Sequence, residues 1–309
     1  MALLYAGPVE QIPLWKDALG RNDPNLDLRF WPDYGVPGDI KMLLVARDIP
    51  CDLSLFPNLR AIQTLWAGVD KLLMDSRLSA TLPLARMTDT SLARGMAEFV
   101  LYHSLDYLRD GPSLRQAQAQ SKWQVPPLKL AKDVHIGIMG LGEMGRQALD
   151  YLRVVGFSLH GWSQSIKEID QVQCFAGSDE LPAFLKECHI VVCLLPLTKK
   201  TTGILNEDFF GKMREGAWLI HAGRGGHLVE SDLLSALTYH RPARAVLDVF
   251  AEEPLPSHHP FWKHPSITIS PHCAAVTPPG AGASLIVENY HRVLKNENLK
   301  NLVDRTRQY

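Results

Sequence analysis

The 309-residue chain has no C-x-x-C pair, no low-complexity tract and no internal repeat. Its five cysteines (Cys51, Cys174, Cys188, Cys193 and Cys273) are scattered and odd in number. That pattern argues against a disulfide framework, and the thiols are expected to be reduced, as in a cytoplasmic protein. No apolar run approaches the roughly 20 residues of a membrane-spanning helix, so no membrane partner is expected. The opening MALLYAGPVE lacks the basic start of a signal peptide and reads as a first strand. Net charge is missing too: 32 Lys and Arg against 33 Asp and Glu leave −1. Such a chain has no electrostatic footprint for nucleic acid or an anionic membrane.

What is present is the material of a core: 46% hydrophobic and 21% charged residues, at a length that suits about two domains. Apolar runs at 3–5, 26–31, 42–46, 59–65 and 83–87 read as strands, with an amphipathic stretch at 14–19. A long helical pattern covers 93–114, where Asp110-Gly111-Pro112 is placed to interrupt it. After the linker QVPPLKLAKD come strands at 134–138, 157–162, 190–195, 217–221, 243–249 and 267–270. This alternation predicts an α/β protein with two doubly wound domains and parallel sheets. An amphipathic helix at 283–294 is expected to cross back onto the first domain. The expected boundaries are 1–97 plus 278–309 for one domain and 98–277 for the other.

The strongest motif is VHIGIMGLGEMG at 134–145, a strand followed by G-x-G-x-x-G and a helix-compatible run. In a dinucleotide-binding turn Gly140 makes the tight bend, Gly142 lets the pyrophosphate approach, and Gly145 lets the helix lie close. The helix N-terminus offers N–H groups and a positive dipole end to the phosphates. About 20 residues on, NAD enzymes usually carry an acid for the ribose hydroxyls. Here Ser163 stands in that place, followed by Gln164, Ser165 and Lys167. Loss of the acid removes repulsion against a 2′-phosphate, so NADPH is expected over NADH, although Gln164, Glu168 and Asp170 weaken the positive case.

Three polar clusters fall at or just beyond strand ends: HAGRGG at 221–226, DVFAEEPLP at 248–256 and SPHCAA at 270–275. They offer a guanidinium, a carboxylate and an imidazole. A guanidinium binds a 2-oxo acid carboxylate in a planar fork. An imidazole can protonate a developing alkoxide, and a neighbouring carboxylate favours the protonated ring. Taken singly, each residue also has a plain structural reading: a solvated loop arginine, a turn cap, a satisfied histidine. His258, His259 and His264 lie in a proline-rich stretch without metal-ligand spacing, so no metal site is expected.

These motifs, with LLPLTKKTTGIL at 194–205, resemble the D-isomer-specific 2-hydroxyacid dehydrogenases over nearly the whole chain. The resemblance implies a Rossmann nucleotide-binding domain inserted into a flavodoxin-like substrate domain, and a homodimer with contacts from the helix after residue 93 and the linker around Trp123. It implies reduction of small 2-oxo acids, glyoxylate and hydroxypyruvate, with Arg224 as the substrate-binding arginine, His272 as the acid/base and Glu253 as its carboxylate partner. WAGVD at 66–70 resembles the substrate loop, which implies that the Ala67 and Gly68 N–H groups grip the carboxylate and leaves Trp66 open between core packing and a lid over the substrate-binding pocket. Glu143, Met144, Leu195, Pro196, Thr201, His221, Ala222, Gly223, Asp248 and Ala274 join the fingerprint as implied cofactor contacts. Arg86 and Met96 fall in segments resembling R-x-x-D and M-x-E, and Arg47 reads as a surface residue. A bulkier 2-oxo acid, or a nicotinamide-sensing binding protein of the same fold, are the alternative functions.

Overall fold

The computed structural model describes residues 1–88 and 90–305. Asp89, the end of the R-x-x-D segment, and residues 306–309 of the expected first domain lie outside the described residues. Backbone proximity divides the chain into two units, Met1–Leu92 with Thr277–Tyr309, and Ala93–Val276.

The first unit opens with β1 (Ala2–Ala6), α1 (Ile12–Asn22), β2 (Leu28–Phe30), β3 (Ile40–Val45), β4 (Ala61–Thr64), α2 (Asp70–Met74) and β5 (Leu84–Ala85). All strand pairs are parallel, in the order β2-β1-β3-β4-β5. That is the 2-1-3-4-5 winding of flavodoxin-like folds. Every residue of β1, β3 and β4 is buried, as a parallel sheet covered on both faces requires. Leu3, Tyr5, Met42 and Leu44 pack with Trp15 and Leu19 of α1 on one face. Leu4, Leu43, Val45 and Ile62 pack with Val69 and Leu72 on the other.

The second unit takes over within α3 (Thr90–Leu108) and continues through α4 (Gly111–Ala119), β6 (His135–Met139), α5 (Glu143–Val155), β7 (Ser158–Ser163), β8 (Gln173–Ala176), α6 (Gly177–Glu187), β9 (Ile190–Cys193), α7 (Glu207–Lys212), β10 (Trp218–His221), α8 (Glu230–Thr238), β11 (Arg244–Leu247) and β12 (Ile267–Ile269). The chain then re-enters the first unit as α9 (Pro279–Lys295), whose Ala283, Ile286, Tyr290 and Val293 join the α1 side of that sheet. The second sheet runs β12-β11-β10-β9-β6-β7-β8, all parallel. Counted from β6 this is the Rossmann order 3-2-1-4-5-6 with a seventh strand at the edge.

One expectation is met and two need correction. The helical pattern at 93–114 is broken at Asp110, as read from Asp110-Gly111-Pro112, where the residue takes a left-handed conformation at φ 51 and two helices result. The second sheet has seven strands, not the six read from the sequence, because β8 is a four-residue edge strand, QCFA, whose Gln173 is exposed. The first seam between units falls at 92/93 rather than 97/98, because Met96, Ala97 and Val100 already belong to the apolar layer under β6. No described helix is long and apolar enough to cross a membrane.

Candidate active site

Strands β10, β11 and β12 are adjacent and parallel, with His221 level with Leu247 and Leu247 level with Ile269. The loops that follow therefore leave one carboxyl edge of the sheet side by side, where open α/β sheets place ligands and catalysts. Arg224 lies on the first loop, Glu253 on the second and His272 on the third.

The sequence stitches these loops together. Gly225 approaches the backbone of Phe250 so closely that a Cβ would sit 1.9 Å from the Phe250 carbonyl oxygen. Only glycine permits this approach, which joins the first loop to the second. Asp248, 2% exposed, joins the second to the third. Its Oδ1 accepts from Ser270 Oγ at 2.7 Å, Cys273 N at 2.9 Å and Ala274 N at 3.1 Å. Burial pushes the Asp248 carboxyl up, and these hydrogen bonds oppose the shift. His272 N donates to the Asp248 carbonyl at 2.9 Å, and His272 is held at φ 52, in the left-handed region. A non-glycine residue there is costly unless its surroundings hold it. Here the Asp248 bonds do so.

The result is a carboxylate–imidazole pair. His272 Nδ1 lies 2.9 Å from Glu253 Oε2, and Glu253 Oε1 accepts from Phe250 N at 2.9 Å. The carboxylate is 12% exposed and the imidazole 27%, so the pair is largely shielded yet one ring edge is reachable. Arg224 is half-buried, and its Nη1 donates to the Gly223 carbonyl at 2.7 Å.

At β6 the fingerprint has the shape that a pyrophosphate needs. Gly140 has φ 104, and a Cβ there would lie 2.7 Å from the Leu194 carbonyl oxygen. Gly142 is the N-cap of α5, has no side-chain cap, and faces open space where a Cβ would stand. Helix N–H groups beside an open glycine form an anion cradle. Glu143 and Met144 start the helix, and Gly145 lies so close to Gly140 that a Cβ would be 2.0 Å from its carbonyl oxygen. Past the end of β7, Gln164, Ser165 and Lys167 are exposed and Ser163 is half-exposed, its hydroxyl donating to Ser165 O at 2.6 Å.

Several implied cofactor contacts are engaged otherwise. His221 is completely buried, so its side chain has no face to offer a ligand. The Asp248 carboxylate is taken up by the His272 loop, whose Ala274 N–H donates to it. Thr201 Oγ1 donates to Pro196 O at 2.7 Å and accepts from Thr198 N at 2.8 Å, which shapes its own loop. Leu195, Ala222 and Gly223 are buried, and Pro196 is exposed. In the first unit, Trp66 is 36% exposed. Its N–H donates to Thr64 Oγ1 at 2.9 Å, and its carbonyl accepts from Met87 N at 3.1 Å. Ala67, Gly68, Arg47 and Arg86 are half-buried. Met96 is 5% exposed and packs in an apolar layer of the second unit. His259, expected in a solvated loop, is half-buried and meets Glu230 Oε2 at 3.1 Å. What the motifs missed is the stitching role of Asp248 and the burial of His221 and His227; the Asp248 signal was its place at a strand end, one residue before an apolar pair.

The model of the D-isomer specific 2-hydroxyacid dehydrogenase NAD binding domain matches residues 101–274. Glyoxylate/hydroxypyruvate reductase A of Serratia proteamaculans is 39% identical over 94% of each chain. A D-isomer specific 2-hydroxyacid dehydrogenase of Xanthobacter autotrophicus, solved in complex with NADPH and MES, superposes with a TM-score of 0.93 at 35% identity, covering 100% of this chain and 99% of its own. An NADPH-dependent glyoxylate/hydroxypyruvate reductase of Sinorhizobium meliloti, solved with NADP and sulfate, gives 0.92 at 30% identity and 100% of both chains. The chain belongs to the D-isomer specific 2-hydroxyacid dehydrogenase family.

Proposed function

We propose that the chain reduces small 2-oxo acids, glyoxylate to glycolate and hydroxypyruvate to D-glycerate, with NADPH. The observation that carries the chemistry is the Glu253–His272 pair, held at 2.9 Å on the loop beside that of Arg224. In this reading the inserted unit is the nucleotide domain and the first unit the substrate domain. Gly140, Gly142 and the N-terminus of α5 hold the pyrophosphate, and Ser163, Ser165 and Lys167 the 2′-phosphate. The bound dihydronicotinamide supplies the hydride. Arg224 binds the substrate carboxylate and draws electron density from the adjacent carbonyl. His272 gives a proton from Nε2 to the carbonyl oxygen, and Glu253 holds Nδ1–H and compensates the charge of the protonated ring. Turnover of a panel of 2-oxo acids with both cofactors tests the reading. Fastest turnover on a longer acid would reassign the substrate, and NADPH binding without turnover would mark a sensor.

The missing acid at 163 carries the cofactor preference. Wild type is expected to show higher kcat/KM with NADPH than with NADH. Ser163→Asp should reverse that order by repelling the 2′-phosphate and bonding the ribose hydroxyls. Equal use of both cofactors by the wild type would mean that Gln164 and the acids at 168 and 170 dominate.

A second copy of the chain is the proposed partner. Trp123 is 99% exposed, Val125 81%, Leu128 76% and Tyr102 of α3 63%, an apolar run that water leaves unfavourable. Sedimentation is expected to show twice the 34.5 kDa chain mass, and Trp123→Glu to shift it toward the monomer. A wild-type monomer at micromolar concentration would refute the dimer. The scattered free cysteines support a reducing, cytoplasmic location.

A further inference from the structure

Two histidines that the chemistry above does not use are completely buried around the backbone of Arg224. Arg224 N–H donates to His227 Nδ1 at 3.1 Å. An amide can only donate, so Nδ1 carries the lone pair and the ring proton sits on Nε2. From there it reaches the Pro196 carbonyl at 3.2 Å. His221 Nε2 lies 3.0 Å from the Arg224 carbonyl oxygen. A carbonyl only accepts, so this ring is also an Nε2–H tautomer, and burial pushes its imidazole down to about 3, keeping it neutral. Both backbone groups of Arg224 are therefore held by buried rings, and Gly225 next to it is pressed against Phe250.

These rings and Cys193 bring three ligand-type atoms within 4.8 Å of one another. A metal site is the poorer reading. His227 spends both nitrogens on backbone groups, and burial pushes the Cys193 thiol up to about 12, whereas a metal takes a thiolate and free lone pairs.

We propose that His221 and His227 are positioning residues for Arg224, fixing its backbone and, through Pro196, tying it to the loop after β9. The inference rests on Arg224 being the carboxylate-binding group. A guanidinium fork hinged on a loose backbone would meet the substrate in fewer productive poses.

The test uses two conservative replacements whose order separates positioning from space filling. Asn at 227 places an oxygen near the Nδ1 position, whereas Gln is closer to histidine in size but carries its amide near Nε2. His227→Gln is expected to lower kcat/KM for glyoxylate by about tenfold or more, mostly through KM, while His227→Asn stays within about threefold of wild type. NADPH binding, measured directly, confirms that each variant is folded. In an Arg224→Ala background His227→Gln should cost nothing further, because it acts through the missing side chain. Gln performing as well as Asn, or losses that multiply in the double variant, would overturn the proposal. A slow Arg224→Ala beside a fully active His227→Gln overturns this inference alone. A fully active Arg224→Ala removes the underlying reading with it. Should the His227 variants fail to bind NADPH, His221 decides: His221→Gln, which keeps an N–H near Nε2, should retain a low KM that His221→Leu loses, and equal KM values would refute the role.

Discussion

His272→Ala is expected to lower kcat for glyoxylate reduction by about 10²–10⁴-fold, the usual weight of a positioned general acid. NADPH binding should stay nearly intact, because the fingerprint follows β6 and the segment at 163–167 ends β7, whereas the imidazole lies beyond β12. Wild-type turnover in the alanine variant would place the acid elsewhere. The carboxylate partner gives the same prediction a second arm. Glu253 Oε2 sits 2.9 Å from His272 Nδ1 and orients the ring. Glu253→Gln should therefore also lower kcat for reduction while NADPH binding stays nearly intact. Unchanged kcat, with chemistry rate-limiting, would mean the two residues are not coupled.

Arg224→Ala is expected to cost roughly 10²–10³-fold in kcat/KM, the range for removing one charge-stabilising donor group. Both KM and kcat should suffer, since the guanidinium binds the carboxylate and also polarises the carbonyl. Arg224→Lys should recover only part, because an ammonium lacks the planar fork. Unchanged kinetics with glyoxylate in the alanine variant would remove Arg224 from the site.

The large features of the fold were legible because they rest on local pattern. Apolar runs such as MLLVA and the strand-glycine-helix order around Gly140 carry their own periodicity and turn chemistry. β8 was not legible: four residues with an exposed Gln173 gain their strand character from pairing with β7, which no local window contains. The site divides the same way. Arg224, Glu253 and His272 stand in recognisable motifs at the ends of adjacent strands. Whether a polar side chain faces a ligand or its own scaffold is set by tertiary contacts. Asp248 binds a neighbouring loop and His221 the Arg224 carbonyl, contacts that no local motif contains. Trp66 was ambiguous in the sequence for the same reason.

The return of the chain as α9 bears on how the protein is made. α9 supplies Ala283, Ile286, Tyr290 and Val293 to one face of the first sheet. Tyr290 donates its hydroxyl to the carbonyl of Met1 at 2.5 Å, and Asn289 reaches Gln63 at 2.7 Å. β1 and β3 therefore wait for α9, made only after the whole second unit, before that apolar face is covered. The whole inserted unit is synthesised in between and, being continuous, can close on itself first. For that interval a parallel sheet with an open hydrophobic face is exposed to other nascent chains, the state in which aggregation competes with folding. The burden on chaperones thus falls on the half of the molecule that begins the sequence, not on the half that binds the nucleotide.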